Sequence, residues 1–243
     1  MMEVSSWVGD EPGGIKRFED GELFFGAATE LPFLNAAVRE GPGRDAGDFV
    51  QRARDWFFSR DRGFVVYTWP GDPDLERAAN DAGMFVVLDR YPEMVCHTPL
   101  PELPGDLRVV ETPDDAAAYW RICDVAYPSI GMPEGVFTEV LAPDSLLPSD
   151  HASAVLAYAD GEPVACASVY LAEGVGMVGW VGASPEARGR GLAAAATVWA
   201  TNRAFAMGAD AAALQASSMG EPIYMRLGYE EVYSYRLLGL MPG

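Results

Sequence analysis

The stretch of sequence over residues 178–197, which reads VGWVGASPEARGRGLAAAAT, constrains the fold of this chain most. It begins with apolar residues typical of a β-strand, breaks at Ser184 and Pro185, and continues into an alanine-rich segment of high helix propensity. A strand that leads through a glycine-containing turn into a helix presents unpaired backbone N–H groups to an anion, and the helix dipole favours negative charge there. Arg188 and Arg190 add guanidinium groups that suit phosphate. The pattern therefore predicts a site for a diphosphate group.

Two kinds of diphosphate site fit these residues. Gly189, Gly191 and Ala194 satisfy the dinucleotide-binding pattern G-x-G-x-x-G/A, which is weak on its own. That pattern also requires an acidic residue at the end of the next strand, about 20 residues on. Asp210 has roughly that spacing, but it precedes the predicted strand 211–217, which contains no acidic residue. The dinucleotide interpretation is therefore the less favoured one.

The same residues resemble a motif of acetyltransferases. Arg188, Gly191 and Ala193 fit R/Q-x-x-G-x-G/A, the signature of the GNAT N-acetyltransferase superfamily. A second element, residues 224–229 (YMRLGY), resembles the family pattern Y-x-x-x-G-F/Y and follows after one predicted helix, one strand and a short helical segment. The two motifs in this order indicate a GNAT domain. In the alternative, the glycines only form a strand-to-helix turn and Tyr224 is a core aromatic residue.

The resemblance implies a mixed α/β (α+β) sheet fold, acetyl-CoA as acyl donor, and direct transfer of the acetyl group to an amine without a covalent enzyme intermediate. It also implies that the strand before the helix meets the pantetheine arm, and that one of its N–H groups polarises the thioester carbonyl. By its match to the family tyrosine, Tyr224 protonates or hydrogen-bonds the leaving thiolate and is the predicted catalytic residue. The predicted CoA-binding residues are Val181, Gly182, Ala183, Arg188, Gly189, Arg190, Gly191, Leu192, Ala193 and Ser217.

The general base stays unassigned. Many family members have a catalytic glutamate on the strand before the tyrosine motif, but Ala212 stands at that position. Glu173, His151 and a water relay are the alternatives. The missing glutamate favours a rival function, a non-catalytic acyl-CoA-binding regulatory protein, whereas Tyr224 favours an enzyme. The acceptor amine, small molecule or peptide, is not identified by the sequence.

The chain divides into two predicted domains at the proline-containing segment 100–105 (LPELPG). Residues 105–243 contain both motifs and form the predicted acetyltransferase domain. In residues 1–104, an irregular arm of residues 1–20 is followed by predicted elements in the order strand, strand, helix, strand, helix, strand. This order mirrors that of residues 164–238, so the first domain resembles an incomplete GNAT domain. An unrelated small α/β domain is the alternative.

The first domain lacks the residues of a CoA site. Its segment 39–45 (REGPGRD) contains a proline, which removes a backbone donor, and two acidic residues that repel phosphate. Ala79 stands where the tyrosine motif would need its tyrosine. We therefore predict that residues 1–104 form a degenerate, non-catalytic GNAT-like domain.

Composition restricts the partners and the location. The net charge of −19 over 243 residues argues against nucleic acid as a partner, since phosphate backbones require a basic surface. No run of about 18 apolar residues and no signal pattern occur, which predicts a cytoplasmic protein without a membrane partner. Three isolated cysteines predict free thiols, and two distant histidines predict no metal site.

Overall fold

The computed structural model describes Gly9 and residues 13–42, 44–141 and 146–243. The chain forms two compact units. The first unit contains the described residues up to Glu93 together with Val232–Gly243, and the second unit is Met94–Glu231.

The first unit consists of a mixed sheet and two α-helices among its described residues. Its elements are β1 (Ile15–Glu19), β2 (Glu22–Gly26), β3 (Asn35–Arg39), α1 (Ala46–Phe58), β4 (Phe64–Thr68), α2 (Pro73–Asp81), the larger part of β5 (Phe85–Cys96) and most of β11 (Glu230–Leu240). The strand order is β1-β2-β3-β4-β11-β5. Strands β3 and β4 are parallel, whereas β1, β2 and β3 form antiparallel pairs and β11 is antiparallel to β4.

Local sequence explains most of this unit. Helix α1 buries Phe49, Ala53 and Phe57, which recur at helical spacing. Strand β1 differs from the predicted irregular arm, because Asp20 and Gly21 adopt positive φ angles of 57° and 76° and turn the chain into a hairpin with β2. Residues 1–8 and 10–12 of that arm lie outside the described residues.

The C-terminal strand completes the first unit. Residues 236–240 of β11 pair with residues 64–68 of β4. The compact units therefore differ from the predicted division at residues 104 and 105, because a strand pairing distant in sequence assigns Val232–Gly243 to the first unit. Strand β5 is also divided, with Phe85 to Glu93 in the first unit and Met94 to Cys96 in the second.

The second unit contains the segment predicted to bind a diphosphate. Its elements are the end of β5, then β6 (Asp106–Val109), α3 (Pro113–Ala126), α4 (Val136–Val140), β7 (Ala152–Ala159), β8 (Glu162–Ala172), β9 (Val175–Ala183), α5 (Leu192–Ala206), β10 (Ala211–Gln215) and α6 (Glu221–Leu227). The strand order is β5-β10-β9-β8-β7-β6, in which β9 and β10 are parallel and the pairs among β6 to β9 are antiparallel. The predicted mixed sheet is confirmed.

Helices α3 and α5 pack on this sheet. Thr112 and Asp115 form a reciprocal capping box that starts α3. The alanines of α5 allow close packing, since a Cβ atom at Gly176 of β9 would lie 2.2 Å from the Cβ atom of Ala204. The first residues of β9 and the last turn of α5 therefore lie in close contact.

Candidate active site

The parallel strands β9 and β10 separate before β9 ends. In the described residues they pair at Val175 with Ala211, at Gly176 with Ala212 and at Met177 with Ala213, and the pairing stops there. Strand β9 continues to Ala183. Residues Val181, Gly182 and Ala183, which the sequence predicts to meet the pantetheine arm, therefore lie on the part of β9 beyond its pairing with β10.

A β-bulge interrupts β9 in the part that pairs with β8 but not with β10. The register of β8 against β9 shifts between Cys166, opposite Gly182, and Ser168, opposite Gly179. Trp180 lies in the bulge with a φ angle of 50°, a left-handed conformation that is uncommon for a bulky residue. The bulge turns the backbone groups of residues 179–181 out of the regular ladder.

The turn after β9 leaves the start of α5 open. Gly189 and Gly191 have φ angles of 77° and 80°, and Gly191 is the N-cap residue, so no side-chain acceptor caps the helix. The N–H group of Ala195 donates to the Gly191 carbonyl oxygen at 2.9 Å. The backbone N–H groups of residues 192–194 have no acceptor among the residues that the structure describes. Free N–H groups at the start of a helix are what the predicted anion site requires.

Both arginines of the turn have exposed side chains. An Arg188 guanidinium nitrogen lies 3.5 Å from the carbonyl oxygen of Ala126 at the end of α3. Arg190 lies 3.7 Å from a carboxylate oxygen of Asp160, with side chains 50% and 91% exposed. A pair this exposed is weak and screened by salt, so it leaves the Arg190 charge available to an anion.

The tyrosine of the second motif is buried on α6. Tyr224 is 8% exposed and belongs to a core cluster that includes Val178 and Leu214, with Val181 packed against it. Burial raises the pKa of Tyr224 above its ordinary value. The ring lies against Gly220, where a Cβ atom would be 2.7 Å from Cε2 of Tyr224.

Ser217 lies in the turn between β10 and α6. Its hydroxyl oxygen accepts a hydrogen bond from the N–H group of Gly220 at 3.2 Å, which leaves the hydroxyl proton free to donate elsewhere. Pro222 falls in the first turn of α6, where a proline is tolerated.

Neither alternative base lies at the end of β9 that meets α5. Glu173 is in the turn before β9, and β9 itself spans roughly 26 Å from Val175 to Ala183 at about 3.3 Å per residue. The His151 carbonyl oxygen accepts from the N–H group of Leu171, which places His151 at the same distant end of the sheet. Strand β10 reads AAALQ and carries no carboxylate. The base therefore stays unassigned.

An aromatic cluster beside the bulge was not found by sequence reasoning. The Trp180 ring centroid lies 5.3 Å from that of Phe137, 5.9 Å from that of Tyr127 and 6.1 Å from that of Trp120. Phe137 and Trp120 are buried, whereas Tyr127 and Trp180 are half-buried. The only signal in the sequence was the density of aromatic residues on and after α3.

The loop of the first unit that corresponds to the predicted diphosphate segment is built differently. Helix α1 has Asp45 as its N-cap residue, and the Asp45 carboxylate accepts from the N–H group of Asp48 at 2.9 Å. Asp48 places a second negative charge in the first turn. Two carboxylates at this helix start satisfy and shield the N–H groups that an anion would need.

The second unit combines a mixed sheet, parallel strands that separate and an uncapped helix start, the arrangement expected from the resemblance to acyl-CoA N-acyltransferases. Residues 117–229 match the model of the acetyltransferase (GNAT) family. Residues 117–229 therefore form a GNAT-family domain. Among the residues that the structure describes, no group of three or more His, Cys, Asp or Glu side chains could hold a metal ion. No described helix is both long and apolar enough to cross a membrane.

Solved structures share the fold over nearly the whole chain. A GCN5-related N-acetyltransferase from Kribbella flavida is 27% identical and matches with a TM-score of 0.73 over 100% of this chain and 94% of that one. One from Sphaerobacter thermophilus is 17% identical, with a TM-score of 0.62 over 93% and 83% of the two chains. A tandem GNAT protein from the clavulanic acid biosynthesis pathway is 15% identical, with a TM-score of 0.63 over 100% and 87%. No curated protein matches the chain. The family match and the Kribbella flavida structure support a general role in acetyl transfer.

Proposed function

We propose that the chain is an acetyl-CoA-dependent N-acetyltransferase that transfers an acetyl group directly to an amine. The observation that carries the proposal is the uncapped start of α5, with free N–H groups on residues 192–194, directly after the separated end of β9. In a GNAT-family domain this is where an acyl-CoA diphosphate is held. Acetyl-CoA supplies the thioester when it is bound.

The diphosphate site uses backbone donors and two guanidinium groups. A Cβ atom at Gly189 or Gly191 would meet no atom within 4 Å, so the space above both residues is open to a ligand. The N–H groups of Leu192 and Ala193 donate to phosphate oxygens, and Arg188 and Arg190 add positive charge. Val181, Gly182, Ala183 and Ser217 contact the pantetheine arm.

Tyr224 holds the proton for the leaving group. Because burial raises the pKa of Tyr224, the phenol stays protonated at neutral pH and can donate. Its hydroxyl has no hydrogen-bond partner among the described residues, so no internal acceptor competes for the proton. Tyr224 donates a hydrogen bond or a proton to the departing thiolate as its acetyl group moves to the amine.

The acceptor is an amine on a small molecule or peptide. The net charge of −19 suits a cationic amine and opposes nucleic acid. The half-buried rings of Tyr127 and Trp180 favour an acceptor with an apolar or planar group beside the amine. Residues 1–104 form the non-catalytic domain in this proposal, since the Asp45 cap of α1 excludes a diphosphate. The cytoplasmic location stays a prediction from the sequence.

A non-catalytic acyl-CoA-binding protein is the second candidate, because β10 lacks the carboxylate that many family members have there. Release of thiol from acetyl-CoA, measured across amines, aminoglycosides and peptides with free N-termini, separates the two. The enzyme should show acceptor-dependent release, and Tyr224→Phe should lower turnover by roughly 10²–10⁴-fold, as for other acid–base groups, with acetyl-CoA affinity nearly kept. Tight acetyl-CoA binding without turnover would favour the binding protein.

A further inference from the structure

Buried side chains hold two carbonyl groups of the β9 bulge. The Tyr119 hydroxyl on α3 donates to the carbonyl oxygen of Trp180 at 2.9 Å. The Ser168 hydroxyl on β8 donates to the carbonyl oxygen of Gly179 at 3.0 Å, and the Tyr119 hydroxyl lies 3.4 Å from that oxygen. The sulfur atoms of Cys123 and Cys166 lie 3.7 Å and 3.6 Å from the Trp180 carbonyl oxygen. Four side chains thus converge on one short backbone segment.

This polar cluster lies in the interior of the second unit. Tyr119, Ser168, Cys123 and Cys166 are all 0% exposed. A buried hydroxyl without a partner is costly, and the carbonyl groups of the bulge are the partners of both hydroxyls. Burial raises the pKa of Tyr119 well above its ordinary value, so the phenol keeps its proton and donates. The cluster and the bulge therefore depend on each other.

Holding the Trp180 carbonyl also sets the direction of the next N–H group. Every peptide bond in the described residues is trans, so the C=O and N–H groups of one peptide plane point in opposite directions. The carbonyl of Trp180 and the N–H group of Val181 share such a plane. With the Trp180 oxygen held toward α3, the Val181 N–H group points away from α3. The positive φ angle of Trp180, 50°, shows that the bulge is held against the ordinary backbone preference.

We propose that Tyr119 is a positioning residue for acyl transfer, which holds the Trp180 carbonyl and so aims the N–H group of Val181 at the thioester carbonyl. The inference rests on the proposed function, because Val181 is among the residues assigned to the pantetheine end of acetyl-CoA. Tyr119 acts only through the peptide between Trp180 and Val181. A donor that is fixed before the reaction stabilises the developing oxyanion without rearranging.

The variant Tyr119→Phe removes the hydroxyl and keeps the ring in the core. Its kcat should fall by roughly tenfold, the effect of one lost hydrogen bond on a preorganised donor, while the Kd of acetyl-CoA stays within about twofold. The matched control is Tyr158→Phe on β7, whose ring lies against the guanidinium group of Arg108 at 3.9 Å. The control should keep the wild-type kcat and Kd.

A second measurement follows the bulge itself without turnover. Amide hydrogen exchange at Trp180 and Val181 should become several-fold faster in Tyr119→Phe, because the peptide loses its anchor. Exchange at Val175 and Met177, in the paired part of β9, should stay as in the wild type. The Tyr158→Phe control should leave both regions unchanged.

The outcomes separate this inference from the proposed function. If the wild type is active and Tyr119→Phe has the same kcat, the positioning role is overturned and the proposed function stays intact. If Tyr119→Phe lowers both the acetyl-CoA affinity and the melting temperature, and amide exchange is faster throughout the second unit, the role of Tyr119 is purely structural. That result would also overturn the positioning role. A wild type without acetyl-CoA binding or turnover would remove the proposed function and this inference with it, whatever the exchange at Val181.

Discussion

Arg39 and Asp72 form a buried bidentate ion pair in the first unit, with both nitrogen–oxygen distances at 2.7 Å. Their side chains are 4% and 1% exposed. Arg39 ends β3, just beyond the last pair of β3 with β4 at Ala37 and Val66. The point at which the parallel strands of the first unit separate is therefore occupied by charged side chains. In the second unit, the point at which β9 and β10 separate is followed by the glycine-containing end of β9.

The ion pair should be necessary for the stability of the first unit. Asp72→Asn leaves the Arg39 charge buried without its counterion. Asparagine can still cap α2, where Asp72 accepts from the N–H group of Leu75, so the change acts mainly on the ion pair. We expect the free energy of unfolding to fall by about 3 kcal/mol, the usual cost of breaking a buried pair. Chemical denaturation measures this loss.

An exposed pair on the same helix provides the control for Asp72→Asn. Asp74 and Arg77 are 65% and 68% exposed and 2.7 Å apart, so Asp74→Asn should leave stability nearly unchanged. The double variant Arg39→Met, Asp72→Leu should recover much of the loss, because it removes both buried charges. Equal effects of Asp72→Asn and Asp74→Asn would show that burial of the pair is unimportant.

The charge at the start of α5 should control acetyl-CoA affinity. Arg188→Glu reverses a charge beside the free N–H groups and should weaken binding by more than tenfold, about 1.4 kcal/mol. Arg203→Glu makes the same change in the last turn of α5, roughly 15 Å or more along the helix, and should leave affinity nearly unchanged. Calorimetry compares the two variants. Similar affinity losses in both would point to a general charge effect and remove Arg188 from the site.

Buried tyrosines predict how stability depends on pH. Burial raises the pKa values of Tyr67, Tyr224 and Tyr229 above the ordinary tyrosine value of about 10. Above that pH the unfolded chain loses phenolic protons that the folded protein keeps, so the unfolded state binds fewer protons and stability falls as pH rises. The stability that these three protonated tyrosines contribute is fully present below about pH 10 and is lost as the pH rises above that value. Melting temperature and phenolate absorbance, followed together, should change in that alkaline range.

The raised pKa of Tyr224 also restricts how kcat can depend on pH. Tyr224 should stay protonated across the neutral range, so it should cause no fall in kcat below about pH 10. A fall in kcat that begins below about pH 10 and disappears in Tyr224→Phe would show that the Tyr224 pKa is not raised.

Sequence reasoning found the elements with strong local signals. Thr112, Asp114 and Asp115 are all candidate caps for helix α3 in the sequence, and Thr112 is the N-cap residue in the structure. The turn at Gly189 and Gly191 is predicted from the glycine positions and the helix that follows. The apolar run of β5 ends at Leu88, because Asp89 and Arg90 interrupt it. Its extension to Cys96 depends on neighbouring strands.

Features that depend on distant contacts could not be predicted. The pairing of β11 with β4 joins segments that are far apart in the chain, and no local pattern indicates it. The bulge places a tryptophan, Trp180, at a positive φ angle, where sequence rules expect glycine. Its anchor, Tyr119, is 61 residues away and was indistinguishable from other core aromatic residues in the sequence.

The most direct test of the account is a calorimetric titration of acetyl-CoA into the wild type and into Gly191→Asp. This substitution gives α5 the acidic N-cap that Asp45 gives α1, and it places a carboxylate beside the free N–H groups of residues 192–194. We predict one site per chain in the wild type and an affinity loss of at least tenfold, about 1.4 kcal/mol, in the variant. The control Gly191→Ala, which has the same backbone strain without the charge, should lose less. A second site in the wild type, or unchanged affinity in Gly191→Asp, would contradict the account.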